Sequence, residues 1–216
     1  MQTVLSEFLN AHLASNINNS ANIEITKSEF FLILLVMNTK YEDVLNFWFT
    51  ELTPDLWFAK DDDLDNMMRK RFKEIHGCAE KGELFHWRDQ PEGRLAEILL
   101  LDQFSRNIYR GRPDAFRNDP MALVLAQEMI IQKLDQKVEP LCRKFIYMPL
   151  MHSESRLIHE TFMPLFEGLG DPELLHYEIL HKEIIDKFGR FPHRNKVLSR
   201  ASSLAEEMFL MHHAGF

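Results

Sequence analysis

The stretch EGRLAEILLLDQFSRNIYR, residues 92–110, decides the fold. At about 100° per residue, Leu95, Leu99, Asp102, Arg106 and Arg110 fall on one stripe of a helix. Leu100, Leu101, Phe104 and Ile108 cover another side. A helix that is apolar nearly all round belongs at the centre of a core. Its last turns carry charge, which must meet water, a partner or a ligand. Asp102 and Arg106 stand four residues apart and can pair. The stripe is therefore either a structural ion pair or one wall of a pocket.

Outward from this segment, almost everything after Tyr41 reads as helix, and no strand pair with a hairpin turn stands out. Asp119-Pro120 and Asp171-Pro172 each give an N-cap followed by proline at the first helical position. Gly111, Gly170 and Gly189 sit where helices should end. Ser203 to Glu206, SLAE, is a capping box. Helices are predicted near 41–50, 62–81, 92–110, 120–137, 141–150, 154–168, 172–188, 193–199 and 203–213. Short links favour antiparallel neighbours. The fold class is all-α, with stacked antiparallel helix pairs in one domain over 37–216. Residues 1–36, with the Asn-rich NINNSANIE, differ in character. They read either as an extension upstream of a true start at Met37 or as a docked N-terminal helix.

The chain has 216 residues and a net charge of −8, which argues against binding a nucleic-acid backbone. The longest apolar run, Phe30 to Met37, is far short of the roughly 20 residues a bilayer span needs. Cys78 and Cys142 form no C-x-x-C pair, so a reducing cytoplasm is the expected compartment. Phosphate-loop, zinc-protease and nucleophile-elbow motifs are lacking, and no cofactor or metal is expected. Glu-x-x-His occurs three times, but Glu178 points about 60° from His181 on the wheel, which speaks against a di-metal bundle. DDDLD, 61–65, reads as an acidic helix start. Trp48, Phe49, Trp57 and Phe58 read as a core aromatic cluster.

Three further places put polar chemistry beside apolar surface. His181 falls within the apolar face of helix 172–188 and needs a hydrogen-bond partner there. Pro149 predicts a bend in YMPLMHSES, 147–155, with Ser153 as the next N-cap or with His152 and Glu154 presented to a cleft. FGRFPHRN, 188–195, gathers Arg190, His193 and Arg194 in one turn beside two phenylalanines. These cations grip either an external anion or an internal carboxylate such as Asp102 or Glu154.

VLNFWF, WFAKDDDLDNMMRKRF, GRLAEILLLDQFSRNIYRG, FIYMPLMHSES and FGRFPHRN together resemble the bacterial family called domain of unknown function 924, over about 41–216. The resemblance implies a tetratricopeptide-like α–α superhelix and no established activity. It maps the family's polar motif onto Asp102, Gln103, Arg106, Asn107, Arg110, Tyr147, Pro149, His152, Ser153, Glu154, His181, Arg190, His193, Arg194 and Asn195. Ser105 stands where proline is frequent, and Ser155 where aspartate is common.

The leading expectation is a binding module with a polar pocket for an anionic small molecule or peptide. Asp102, Arg106, Arg110, Tyr147, Ser153, Arg190, His193, Arg194 and Asn195 would bind it. An enzyme using His152, Glu154 and His181 is the alternative, with Glu154 or Asp102 orienting the histidine. A structural or interaction protein is the third. The sequence leaves the choice, the ligand and the oligomeric state open.

Overall fold

The structure, a computed structural model, describes residues 39–213. Among them every regular element is helical. The extension reading of 1–36 lies outside the described residues. In chain order the α-helices are α1 (Tyr41–Asn46), α2 (Asp62–Glu80), α3 (Pro91–Leu99), α4 (Ser105–Ile108), α5 (Asp114–Arg117), α6 (Asp119–Ile131), α7 (Pro140–Met151), α8 (Arg156–Leu169), α9 (Pro172–Phe188) and α10 (Leu204–Leu210).

Helix α3 packs against α1, α6 and α7, while α4 packs against α2. Leu95, Ile98, Leu99, Leu100, Leu101 and Phe104 are fully buried along this central rod. Each such side chain contributes about 1.5–3 kcal/mol through removal from water. Phe104 meets the rings of Phe47, Trp48 and Phe72. Trp48 and Trp57 are core residues, but Phe58 is 58 % exposed, so the expected aromatic cluster is only partly buried. Helices α8 and α9 pack together across a two-residue link. Arg156 at the start of α8 reaches Asp186 near the end of α9, as antiparallel neighbours must. A second small core of Ile184, Ile185 and Phe191 joins α9 to the C-terminal segment.

The central segment is not one regular helix. A π turn at Leu100–Phe104 separates α3 from α4. The Ser105 hydroxyl donates to the Leu101 carbonyl at 2.7 Å, which helps satisfy backbone that the wide turn loosens. Other boundaries also differ from expectation. Asn118, not Asp119, takes the N-cap position of α6. That helix stops at Ile131 rather than 137, because Lys133 adopts φ 58°. The Leu134 N–H then closes onto the Met129 carbonyl, a helix stop that usually uses glycine. Pro149 lies inside α7, which continues to Met151, so the bend falls at 152–155. Ser155, not Ser153, precedes α8. The predicted helix at 193–199 is a single 3-10 turn, Pro192–Arg194. Gly170 and Gly189 end their helices as read, and the Asp171 cap and the Ser203/Glu206 box form as read, whereas the central segment ends at Ile108, short of Gly111.

Gly93 lies where α3 crosses the Trp87 backbone, and a Cβ there would come within 2.1 Å of the Trp87 carbonyl oxygen. In an ordinary helix, glycine to alanine stabilises by about 1 kcal/mol. Here the sign should reverse: Gly93→Ala is expected to cost about 2 kcal/mol or more in urea unfolding. A variant as stable as the wild type would refute the close approach.

Candidate functional site

Asp102 leaves the π turn with no exposed surface. A buried carboxylate must be answered by charges and donors. His152 Nδ1–H donates to its Oδ1 at 2.7 Å, the Gln103 amide donates to Oδ2 at 2.5 Å, and Arg106 lies 3.0 Å from Oδ1. Burial works against the charge on Asp102, but Arg106, His152 and Gln103 hold its carboxyl well below the usual range. The pair of Asp102 and Arg106 is the one that the helical stripe suggested.

Arg106 also bridges to Asp119 at 3.0 and 3.2 Å. Arg194 meets Asp119 at 3.1 Å and the His152 carbonyl at 3.1 Å. Two guanidinium groups thus share one carboxylate. Asp119 is the first residue of α6, one past the cap position, and its carboxylate turns to the arginines. The Arg194 guanidinium lies 4.7 Å from the Phe116 ring and 4.5 Å from the Phe191 ring, a cation between two aromatics. Its side chain is only 7 % exposed. Its buried Nε–H meets no acceptor among the described residues. Burial pulls this guanidinium down to about 10, with Asp119 resisting and Arg106 adding to the fall.

Three histidines surround these charges. His152 caps the end of α7, and its donation from Nδ1 leaves Nε2 with the lone pair. Its ring keeps 14 % of its surface exposed. Burial and then Arg106 depress its pKa, with Asp102 opposing. His181 donates from Nδ1 to the Tyr177 carbonyl at 2.7 Å, and its ring centroid is 6.2 Å from that of His152. Burial, then His152, pull His181 down to about 2. Burial and Arg194 pull His193 down to about 4. This arrangement offers a neutral imidazole base oriented by a carboxylate, beside the buried guanidinium of Arg194 and the partly buried one of Arg106.

Other residues of interest are bound elsewhere. Arg190 makes a two-pronged pair with Glu206 at 2.7 and 2.8 Å, and Asn195 meets the same carboxylate at 3.3 Å. Glu154 accepts from Arg200 at 2.6 Å and from the Phe191 N–H at 2.8 Å. It therefore orients the chain rather than His152. Arg110 pairs with Asp65. Tyr147 donates to Asp135 at 2.7 Å. Asp135 lines a separate cavity of about 460 Å³ with Ile130, Lys133, Gln136 and Leu165. Ser153 takes part through its carbonyl, which accepts from His159 at 2.9 Å. No sequence signal marks Asp119, Phe116, Arg200 or Glu206 as partners; Asp119 and Glu206 read as capping residues. Among the described residues, no group of three or more His, Cys, Asp or Glu is arranged to hold a metal ion.

Fold and cluster define the class: an all-helical protein with a buried, internally paired ionic cluster where its central helix ends. The chain belongs to the family described as a bacterial protein of unknown function (DUF924), which matches residues 44–214. A solved structure of a protein of unknown function from Agrobacterium tumefaciens is similar, with 38% identity and a TM-score of 0.76. The match covers 80% of this chain and 97% of that one. No curated protein matches the chain.

The depressed histidines set a pH dependence. An unfolded chain protonates them near 6.5, whereas the fold keeps them neutral. Their contribution is complete above pH 6.5 and declines as pH falls, by up to about 1.4 kcal/mol per unit for each, until the folded values are reached. Urea unfolding at pH 7, 6 and 5 should show this slope, and His181→Phe should flatten it. Equal slopes in both proteins would show that His181 does not contribute.

Proposed function

We propose that the cluster binds a small anionic molecule, with Arg194 and Arg106 holding the anionic group and His152 facing it as a proton acceptor. One observation carries this reading: Arg194 is almost wholly buried, has a donor without an acceptor, and is depressed to about 10. An anionic oxygen entering along the edge formed by His152, Asp119 and Arg106 supplies the acceptor that the Arg194 Nε–H lacks. Those three side chains retain 14, 16 and 18 % exposure, so the cluster has a wet side. The finer fold reading, a tetratricopeptide-like superhelix, belongs to the same proposal. Its support is the side-by-side packing of α6 with α7 and of α8 with α9.

Calorimetric titration of the full chain with inorganic phosphate, acetate and adenosine monophosphate tests the site. Saturable one-to-one binding is expected for at least one anion, with a melting temperature that rises with ligand concentration. At a hundredfold excess over Kd the fold should gain about 2.7 kcal/mol. Arg194→Gln should weaken binding at least about tenfold, as loss of a charge-assisted hydrogen bond does. Arg117→Ala, on the exposed surface, should leave it unchanged. No saturable binding to any of the three would overturn the reading.

The Asp102–His152 pair favours a second, catalytic reading of the same site. A neutral imidazole held by a carboxylate can take a proton from water or from a substrate hydroxyl. The His152 pKa is depressed, so the acid limb of any rate profile should lie below pH 6.5. His152→Gln should abolish that activity. A limb at or above 6.5, or turnover surviving in His152→Gln, would remove His152 as the base.

A further inference from the structure

We infer that the buried pair of His159 on α8 and Glu178 on α9 is the positioning element for His152, acting through the Ser153 carbonyl. The inference rests on the reading of His152 as the working group of the proposed site.

His159 Nδ1 lies 2.7 Å from Glu178 Oε1, and its Nε2 lies 2.9 Å from the Ser153 carbonyl oxygen. Neither His159 nor Glu178 has any exposed side-chain surface. A carbonyl only accepts, so Nε2 carries a hydrogen. Nδ1 then either donates to a carboxylate or accepts from a carboxylic acid. Both descriptions place two protons on the pair and leave it electrically neutral. Burial pushes the Glu178 carboxyl up, with His159 opposing.

As a stabilising contact, the pair explains little. Buried polar pairs often do no better than apolar side chains of the same volume. Glu178 Oε2 is buried without a hydrogen-bond partner among the described residues, which costs further stability. What the pair supplies is direction. The chain turns at 152–155 between two helices, and three successive residues there are held from outside. Arg194 donates to the His152 carbonyl, His159 to the Ser153 carbonyl, and Arg200 to the Glu154 carboxylate. Arg200 and Glu154 are about a quarter exposed, so water competes with them. His159 is sealed, and a hydrogen bond in a dry site is stiff. The peptide it holds, Ser153–Glu154, lies one residue beyond His152, whose ring must meet Asp102 at 2.7 Å.

The test uses the full chain with nitrogen-15-labelled histidine. The His152 Nδ1–H resonance is assigned by its loss in His152→Gln. The double variant His159→Phe, Glu178→Leu removes the pair as a unit and leaves apolar filling, so it should fold and melt cooperatively. The His152 resonance should nevertheless broaden through exchange with water, and phosphate affinity should fall about tenfold, the worth of one hydrogen bond. Glu178→Leu alone challenges the fold less and frees the His159 ring to turn; the same losses should appear at about threefold. Glu178→Gln keeps a side-chain N–H for Nδ1 and should retain both signals. Folded leucine variants with the His152 resonance and affinity unchanged would overturn the inference. So would losses in Glu178→Gln as large as those in Glu178→Leu. If the wild type binds none of phosphate, acetate and adenosine monophosphate, the anion site fails, while the ring resonance still reports on positioning.

Discussion

A carboxylate with no exposed surface is the constraint on which this structure turns. Asp102 stands at the point where the apolar rod of the molecule becomes charged. Unanswered, its burial would cost several kcal/mol. The answer comes from three directions: Arg106 one turn on, Gln103 next door, and His152 from the end of α7. Arg106 then needs Asp119, and Asp119 draws in Arg194 from the C-terminal turn. Four distant segments are therefore tied together by one electrostatic debt, and the loops between helices are set by the need to settle it.

Much of the helical framework was legible, because caps and glycine stops are local. Gly170 and Gly189 take left-handed conformations at helix ends, and Asp171 and Ser203 accept from N–H groups in the first turn. The misses arose where a distant partner or an unusual residue overrode a local rule. Asp119 has the chemistry of a cap, but two arginines compete for its carboxylate. Lys133 ends α6 in a conformation that usually calls for glycine, so no signal marked the stop. Pro149 is tolerated inside α7, where Ile146, Tyr147, Met148 and Leu150 are all buried and hold the helix.

The polar cluster was legible as a set of elements but not as a set of pairs. Helical spacing put Asp102 beside Arg106, and the structure has that contact. It gave no way to foresee that Arg190 would go to Glu206 and Glu154 to Arg200, since partner choice depends on tertiary geometry. His159 and Glu178 were hidden for the same reason. Each alone looks like an ordinary polar position on an amphipathic helix, and only the packing of α8 on α9 makes them a sealed unit.

The tie between Asp119 and Arg194 spans 75 positions of sequence. A ribosome adding about 5–20 residues per second takes roughly 4–15 s to cover that distance. Throughout that interval the central helix and α6 exist without the cation that completes their charge balance. Of the four segments, the last to be made is therefore the one that closes the cluster, and the earlier three must wait, with acidic groups still in water, until it arrives.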